Sequence, residues 1–160
     1  MRTVPFQTVV DRIAELVVCT NYDLPVDVLG GLKVLRSRES TEPAAYILDR
    51  IIENAGIASK ERLPICQDTG VAVFFVELGQ DVRIGGEGLD TAINEGVRRG
   101  YRDGGLRMSV VGDPLRRKNT GDNTPAIIHY TIVTGDRLSI AFCPKGAGCE
   151  NMSRITMLNP

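Results

Sequence analysis

The turn 64–70 (Pro-Ile-Cys-Gln-Asp-Thr-Gly) concentrates several kinds of chemistry in a few residues. A thiol, an amide, a carboxylate and a hydroxyl follow one another between a proline, which restricts the backbone, and a glycine, which frees it. Cys66 is therefore a possible ligand for a soft metal ion, and Asp68 and Thr69 are candidate catalytic groups. The alternative is a structural turn, in which both polar side chains bond their own backbone and the cysteine is a small buried hydrophobe.

Three further loops, 105–109, 119–125 and 144–151, add cations and small residues. Arg107 can donate two parallel hydrogen bonds to a carboxylate, and Lys145 adds a second positive charge. Glycines allow close approach of the backbone and leave N–H groups free to bind an anion. The four loops together suit a small substrate with one or more carboxylates, but the sequence alone leaves open whether they meet in the fold.

Helices are predicted for the first third of the chain. Apolar residues recur there at spacings of three and four, which is typical of amphipathic helices. The second helix begins at Pro25, and the third begins after Ser40 and ends at Gly56. The predicted inner faces of the three helices are Phe6, Val9, Val10, Ile13, Leu16 and Val17; Val28, Leu32 and Leu35; and Ala44, Leu48, Ile51 and Ala55.

Strands and one more helix are predicted after the turn. Residues 71–78 are apolar on both faces, which predicts the central strand of a sheet. Residues 128–132 and 138–142 alternate in polarity, and the Gly-Asp pair at 135–136 between them predicts a hairpin. The intervening helix carries an apolar face at four-residue spacing, Leu89, Ile93, Val97 and Tyr101. The chain is therefore predicted to be α+β: the helical N-terminal third packs on a mixed, mainly antiparallel β-sheet with a further helix.

The glycine-rich turn 85–88 lies between a short strand near residues 82–84 and the next helix, an arrangement that can hold a phosphate. The full dinucleotide fingerprint is missing, and Glu87 would repel a phosphate. A structural turn is the favoured interpretation, and a nucleotide-binding domain stays open as an alternative.

Composition excludes several classes of protein. The 160 residues carry a net charge of −1, so no general field attracts nucleic acid or an anionic membrane. The longest apolar run has six residues, and the N-terminus lacks the pattern of a signal peptide. We expect a single domain, 1–160, in the cytoplasm, where the four cysteines stay reduced. A zinc site is disfavoured by the single histidine and the lack of a C-x-x-C pair.

Four motifs in order resemble those of the iron–sulfur hydro-lyases, the class I fumarases and the related L-tartrate dehydratases. The resemblance is to the alpha subunit or N-terminal half, and it covers about residues 60–158. The motifs are Pro-Ile-Cys-Gln-Asp-Thr-Gly (64–70), Gly-Leu-Arg-Met-Ser (105–109), Asn-Thr-Gly-Asp-Asn-Thr-Pro-Ala (119–126) and Pro-Lys-Gly-Ala-Gly-Cys-Glu-Asn-Met-Ser (144–153).

The resemblance implies a [4Fe–4S] cluster held by three cysteines, with one iron open to the substrate. Cys66 matches the first cluster ligand, and the remaining ligands are expected outside this chain. The groups that handle the proton are expected in a beta subunit or a C-terminal domain of the same enzyme. On the same grounds Asp68 and Thr69 are the candidate catalytic residues, and the candidate substrate-binding residues are Gln67, Asp68, Arg107, Lys145, Gly146 and Gly148.

The other thiols and the histidine are given structural roles. Cys149 stands where the family more usually has a serine, and we favour a substitution without a new role over an extra thiol near the cluster. Cys143 is interpreted as a structural strand residue and Cys19 as a buried structural thiol. His129 is interpreted as a satisfied core histidine.

The resemblance leads to one function and two alternatives. The expected function is part of a [4Fe–4S]-dependent hydro-lyase acting on a C4 dicarboxylate, with fumarate and malate as first choice and an oligomer as its assembly. An L-tartrate dehydratase subunit is the second choice. A non-catalytic paralogue fragment that binds a beta-type partner is the third. The chain is expected to be the N-terminal part of the alpha subunit, cut short at its C-terminus.

Overall fold

A computed structural model describes residues 1–66, 70–146 and 155–158. The described residues form four helices and five strands. Their bounds, in chain order, are β1 (Arg2–Pro5), α1 (Phe6–Tyr22), α2 (Val26–Arg38), α3 (Glu42–Glu61), β2 (Val71–Gly79), β3 (Val82–Gly85), α4 (Leu89–Asp103), β4 (Ile127–Val133) and β5 (Leu138–Lys145). The predicted α+β class with a mixed sheet is confirmed.

The core lies between α1, α4 and the sheet. The predicted face of α4 is buried along its whole length, and α1 buries four of its six predicted apolar residues. Two glycines of α4 let the helices approach closely. A Cβ on Gly96 would lie 2.5 Å from the Cβ of Ile13, and one on Gly100 would lie 2.9 Å from the Cβ of Val17. This close contact holds α4 in place against α1, and the loop 122–126, which follows α4 in the chain, packs on α4.

The three-stranded sheet has the order β4-β2-β5, so β2 is the central strand as predicted. Ala72, Phe74 and Val76 of β2 face the helices and are fully buried. The opposite face is more open, since Phe75 is 53% exposed. There the ring of Phe75 stacks on His129, with 5.1 Å between the ring centroids. The prediction that His129 is a core residue is therefore wrong, because it lies on the uncovered face of the sheet.

The predicted hairpin between β4 and β5 does not form. β2 lies between them, parallel to β4 and antiparallel to β5. The turn after β4 instead caps the end of β2, where the N–H of Gly79 donates to Arg137 O at 2.8 Å and the N–H of Asp81 donates to Gly135 O at 2.9 Å. The long-range pairing with a buried strand outweighs the local turn signal.

The structure also has a second, two-stranded sheet, formed by β1 and β3, which was not predicted. β1 is short and pairs in parallel with β3, at Arg2–Val82 through Pro5–Gly85. Two of the three strand pairings among the described residues are therefore parallel, so antiparallel pairing does not dominate as we expected. Strand β1 was missed because it has only four residues and leads straight into α1.

Helices α2 and α3 pack on each other and leave much apolar surface exposed. No residue of α2 is buried, and Val28 and Leu35 of its predicted inner face are 46% and 58% exposed. On α3, Ala55 is buried but Ile51 is 42% exposed. The prediction that the whole helical third packs on the sheet holds only for α1. Within the described ranges, no helix combines the length and hydropathy needed to cross a bilayer.

Candidate active site

Gly70 is the point at which two of the predicted loops touch. Its φ of +55° is the left-handed conformation that a glycine adopts without strain. A Cβ at this position would lie 1.8 Å from the carbonyl oxygen of Lys145 and 2.8 Å from the Cα of Gly146. The chain at Gly70 and the chain at Lys145 and Gly146 therefore meet backbone to backbone, which a larger residue at position 70 would prevent.

The side chain of Asn123 joins Gly70 to the other two loops. Its amide nitrogen donates to Gly70 O at 3.1 Å. Its amide oxygen accepts from the backbone N–H groups of Ser109 at 2.7 Å and Val110 at 3.1 Å. Asn123 is fully buried. At least one described residue of each of the four loops thus lies at this contact, namely Gly70, Ser109, Asn123 and Lys145, which the sequence left open.

The segments 108–112 and 118–121 form a small antiparallel ladder. Val111 bridges Asn119, and the N–H of Thr120 donates to Val110 O at 3.0 Å. The Asn119 side chain adds a bond of 2.8 Å to Met108 O. Because this ladder begins just after Arg107, it fixes the backbone beside the candidate carboxylate clamp.

A polar ridge on α4 holds the loop that carries Asn123. Asp90, Asn94 and Arg98 lie four residues apart and so share one face of the helix. Arg98 donates to Asp122 at 3.0 Å, and the Asn94 oxygen accepts from the backbone N–H of Ala126 at 2.8 Å.

Burial, charge and hydrogen bonding shift the pKa values of Arg98 on this ridge and of Asp122 and Tyr130, which contact the ridge. Burial raises the pKa of Asp122, but bonds from the backbone and hydroxyl of Thr124 and from Arg98 outweigh burial and leave the pKa below 3.8. The pKa of Arg98 is raised, chiefly by its bond to Asp122. Burial and a hydrogen bond to Asp90 raise the pKa of Tyr130. All three groups therefore keep their usual charge at neutral pH.

The chain before Cys66 is anchored from two sides. The N–H of Ile65 donates to Asn21 O at 2.9 Å, and the Ile65 carbonyl accepts from the Asn54 side chain at 2.9 Å. These bonds tie the residue before Cys66 to the last turn of α1 and to α3. The Cys66 side chain itself is exposed.

The structure describes only part of the predicted site. Cys66 and Arg107 are exposed, as is Lys145 at the end of β5, while Gly146 is half-buried. Gln67, Asp68, Thr69, Gly148 and Cys149 lie outside the described residues. Their predicted roles, like those of the described site residues, stay predictions.

Metal-ligating side chains are sparse in the described part of the chain. Residues 1–66, 70–146 and 155–158 contain no group of three His, Cys, Asp or Glu side chains that could hold a metal ion. Cys19 is exposed and bonds Asp23 at 3.8 Å, so the prediction that it is buried is wrong. It lies on the outer side of α1. Cys143 lies in strand β5, as predicted, and is exposed on the open face of the sheet.

Asn123 was not distinguished from its polar neighbours in the sequence analysis. Its turn-rich surroundings predict that Asn bonds locally, whereas here its side chain bonds segments 13–14 and 53 residues away. The four-residue spacing of polar residues on α4 was the available signal. A polar row beside an apolar face indicates a second surface that contacts protein, in this case the 122–126 loop.

The chain matches one family model and several known proteins in sequence. Residues 10–160 match the family model described as fumarate hydratase (fumerase). The chain is 36% identical over 156 residues to a putative L(+)-tartrate dehydratase subunit alpha of Methanocaldococcus jannaschii, covering 94% of this chain and 54% of that protein. It is 38% identical over 124 residues to the aerobic class I fumarate hydratase of Escherichia coli, covering 76% of this chain and 22% of that protein. The L(+)-tartrate dehydratase subunit alpha of Escherichia coli is 28% identical over 161 residues, with 96% and 53% covered. The chain thus spans about half the length of the tartrate dehydratase subunits and about a fifth of the fumarate hydratase.

Proposed function

The chain belongs to the fumarate hydratase (fumerase) family, and we propose that it is part of a hydro-lyase that reversibly adds or removes water on a C4 dicarboxylate. The observation that carries the proposal is the convergence of the four motif loops at Gly70, joined by the Asn123 side chain and the Lys145 carbonyl. Loops that meet in this way and carry a thiol, Cys66, and two cations, Arg107 and Lys145, would suit a small anionic substrate.

Arg107 is proposed to bind one substrate carboxylate. Arg107 is exposed, it lies four residues after the end of α4, and the ladder after it restrains the backbone. A planar fork can hold a carboxylate through two hydrogen bonds and so fix its orientation. Lys145 and Gly146, on the strand end that touches Gly70, are proposed to contact the same substrate, together with Gln67, Asp68 and Gly148.

Cys66 is proposed to hold one iron of a [4Fe–4S] cluster. Its thiol is exposed, and the residue before it is bonded on both sides, so the ligand atom extends from a fixed backbone. The described residues contain no group of three His, Cys, Asp or Glu side chains that could hold a metal ion, so the other ligands of the cluster are proposed to lie elsewhere. When bound, such a cluster with an open iron supplies a Lewis acid for the substrate's hydroxyl. Asp68 and Thr69 are proposed as the catalytic groups beside it.

Two classes of substrate are candidates for this proposed hydro-lyase. Fumarate and malate are the first choice because the family model carries that description. Tartrate is the second candidate, because the two tartrate dehydratase subunits align with 94% and 96% of this chain. A beta subunit or a C-terminal domain is proposed to complete the site, and the cytoplasm is the proposed compartment because Cys19, Cys66 and Cys143 are free thiols.

The test is turnover by the natural full-length protein, purified without oxygen together with any subunit that accompanies it. Fumarate, L-malate and L-tartrate are supplied separately, and iron and sulfide are assayed in the same sample. Turnover of one of them with about four irons per site supports the proposal. A protein with a full cluster and no turnover of any of them contradicts it.

Two rivals have tests of their own. A non-catalytic paralogue that only binds a beta-type partner would form the complex but lack iron and sulfide. A nucleotide-binding domain would be stabilised by nucleotides in a thermal shift assay. The turn 85–88 gives this second rival little support, since Gly86 lies against Phe6.

A further inference from the structure

Asn123 is one of two buried polar side chains among the described residues; the other is Asn21. All the contacts of its amide run to the candidate site: the oxygen accepts from Ser109 and Val110, and the nitrogen donates to Gly70. Gly70 closes the turn that begins beside Cys66, and Ser109 is two residues after Arg107. One side chain therefore connects the segment of the candidate iron ligand to that of the candidate carboxylate clamp.

Few other residues could make this connection. The group must donate and accept hydrogen bonds at once from a short, planar side chain, which among residues of this length only Asn offers. The backbone of Asn123 also has a φ of 57°, a left-handed conformation that Asn tolerates better than most residues. An aspartate would still accept from Ser109 and Val110 but, when ionised, could not donate to Gly70.

The loop around Asn123 is itself held firmly. Arg98 bonds Asp122 on one side, and Asn94 bonds the backbone of Ala126 on the other. Both belong to α4, whose opposite face is locked against α1 through Gly96. The hydrogen bonds of Asn123 therefore hold Gly70, Ser109 and Val110 in a defined position relative to α4.

We propose that Asn123 is a positioning residue of the hydro-lyase. It fixes the separation between the Cys66 turn and the Arg107 segment, so that a substrate carboxylate bound at one is aligned with the reacting centre at the other. This inference rests on the proposed function. Because each segment keeps its own binding group when Asn123 is lost, misalignment should lower kcat more than it raises KM.

The first experiment compares Asn123→Asp with Asn21→Asp in the full-length natural enzyme. Both variants place a carboxylate where a buried amide donated to a backbone carbonyl, Gly70 O in one and Val17 O in the other. Asn123→Asp is expected to lower kcat/KM by about 10–100-fold, with the larger part in kcat. In Asn21→Asp the backbone carbonyl that accepts from Ile65 remains, and the side-chain hydrogen bond that is lost runs to Val17 O within α1, so kcat/KM should stay within about threefold of wild type.

The second experiment measures amide hydrogen exchange in the same protein, with Asn123→Gly as a variant that keeps the left-handed backbone. The amides of Ser109 and Val110 should lose protection in Asn123→Gly and keep it in Asn123→Asp, whose carboxylate still accepts from them. Protection of the α1–α4 core should be unchanged in both. Full protection of Ser109 and Val110 in Asn123→Gly would overturn the positioning role.

The two proposals fail in different ways. If wild type has no activity on any C4 substrate, the proposed function fails, and the exchange pattern still decides whether Asn123 connects the loops. If wild type is active and both folded Asn123 variants match Asn21→Asp in kcat/KM, the positioning role fails while the function stands. Should Asn123→Asp not fold, Asn123→Gly decides the kinetic comparison alone.

Discussion

Cys66 carries the most specific prediction at the scale of single residues. In the full-length enzyme, Cys66→Ser should lose iron and dehydratase activity while the fold persists, because an alcohol is a poor ligand for iron that prefers thiolate. Iron assay, activity and circular dichroism check the three parts. Cys19→Ser, at an exposed thiol on α1, is the matched control and should keep its iron. Wild-type iron in the Cys66 variant would refute the ligand assignment.

Arg107 provides a second test at this scale. Arg107→Lys replaces a planar fork by a point charge, so the substrate carboxylate loses one charged hydrogen bond worth about 1.5–3 kcal/mol. We therefore expect kcat/KM to fall by about 10–100-fold, measured by steady-state kinetics. Arg83→Lys, at an exposed arginine on β3, is the control and should be neutral. Equal kinetics for the two variants would show that Arg107 is a surface cation.

Helix packing gives a prediction at the scale of elements. Gly96→Ala gains about 1 kcal/mol of helix propensity but forces a methyl group to within 2.5 Å of Ile13 and 2.9 Å of Val10 O. Crowding that involves backbone outweighs this gain, and we expect a net loss of about 1–2 kcal/mol in the free energy of unfolding, measured with urea.

Gly30→Ala in α2 is the matched control for this experiment. Nothing lies within 4 Å of a Cβ at Gly30, so this variant should be stabilised by about 0.5–1 kcal/mol. Stabilisation of both variants to the same extent would mean that α1 and α4 can separate, and that α4 is not the rigid support assigned to it above.

The contact between α4 and the 122–126 loop gives a pH prediction. The folded pKa of Asp122 lies below its unfolded value of 3.8, so its contribution is complete above about pH 5 and is lost as pH falls through the folded pKa. Asp122→Asn should cost about 0.5–1 kcal/mol at pH 7, because its partner Arg98 is partly exposed. The gap to wild type should shrink below pH 4 in urea unfolding. A gap that stays constant down to pH 3 would contradict the ion-pair origin.

Elements were predictable where periodicity and burial coincide. The repeats in α1 and α4 and the apolar run of β2 each encode a buried face locally, and the structure has all three. The β4–β5 hairpin was wrong because its turn signal is local while the competing strand, β2, lies about fifty residues earlier. Asn123 was missed for a similar reason. Its three bonds reach distant backbone groups, which no local pattern reports.

At the scale of the whole molecule, the described residues build a core but contain no group of three His, Cys, Asp or Glu side chains that could hold a metal ion. The core of α1, α4 and β2 is assembled from residues of this chain alone. Of the three described thiols, only Cys66 belongs to the loops that converge at Gly70, and Cys143 extends from the open face of the sheet. Folding and cluster binding should therefore be separable in a protein of residues 1–160.

Residues 1–160, expressed alone and reconstituted without oxygen, should be folded, colourless and without dehydratase activity. Four irons on one thiolate would leave most coordination to water or small thiols, a poor match for iron in such clusters. Absorbance in the iron–sulfur charge-transfer region, iron and sulfide assays and circular dichroism measure the three properties. A stoichiometric four-iron cluster on this protein would show that Cys143 and Cys149 are ligands. The site would then be complete within this chain, and the proposed division between it and a partner would be wrong.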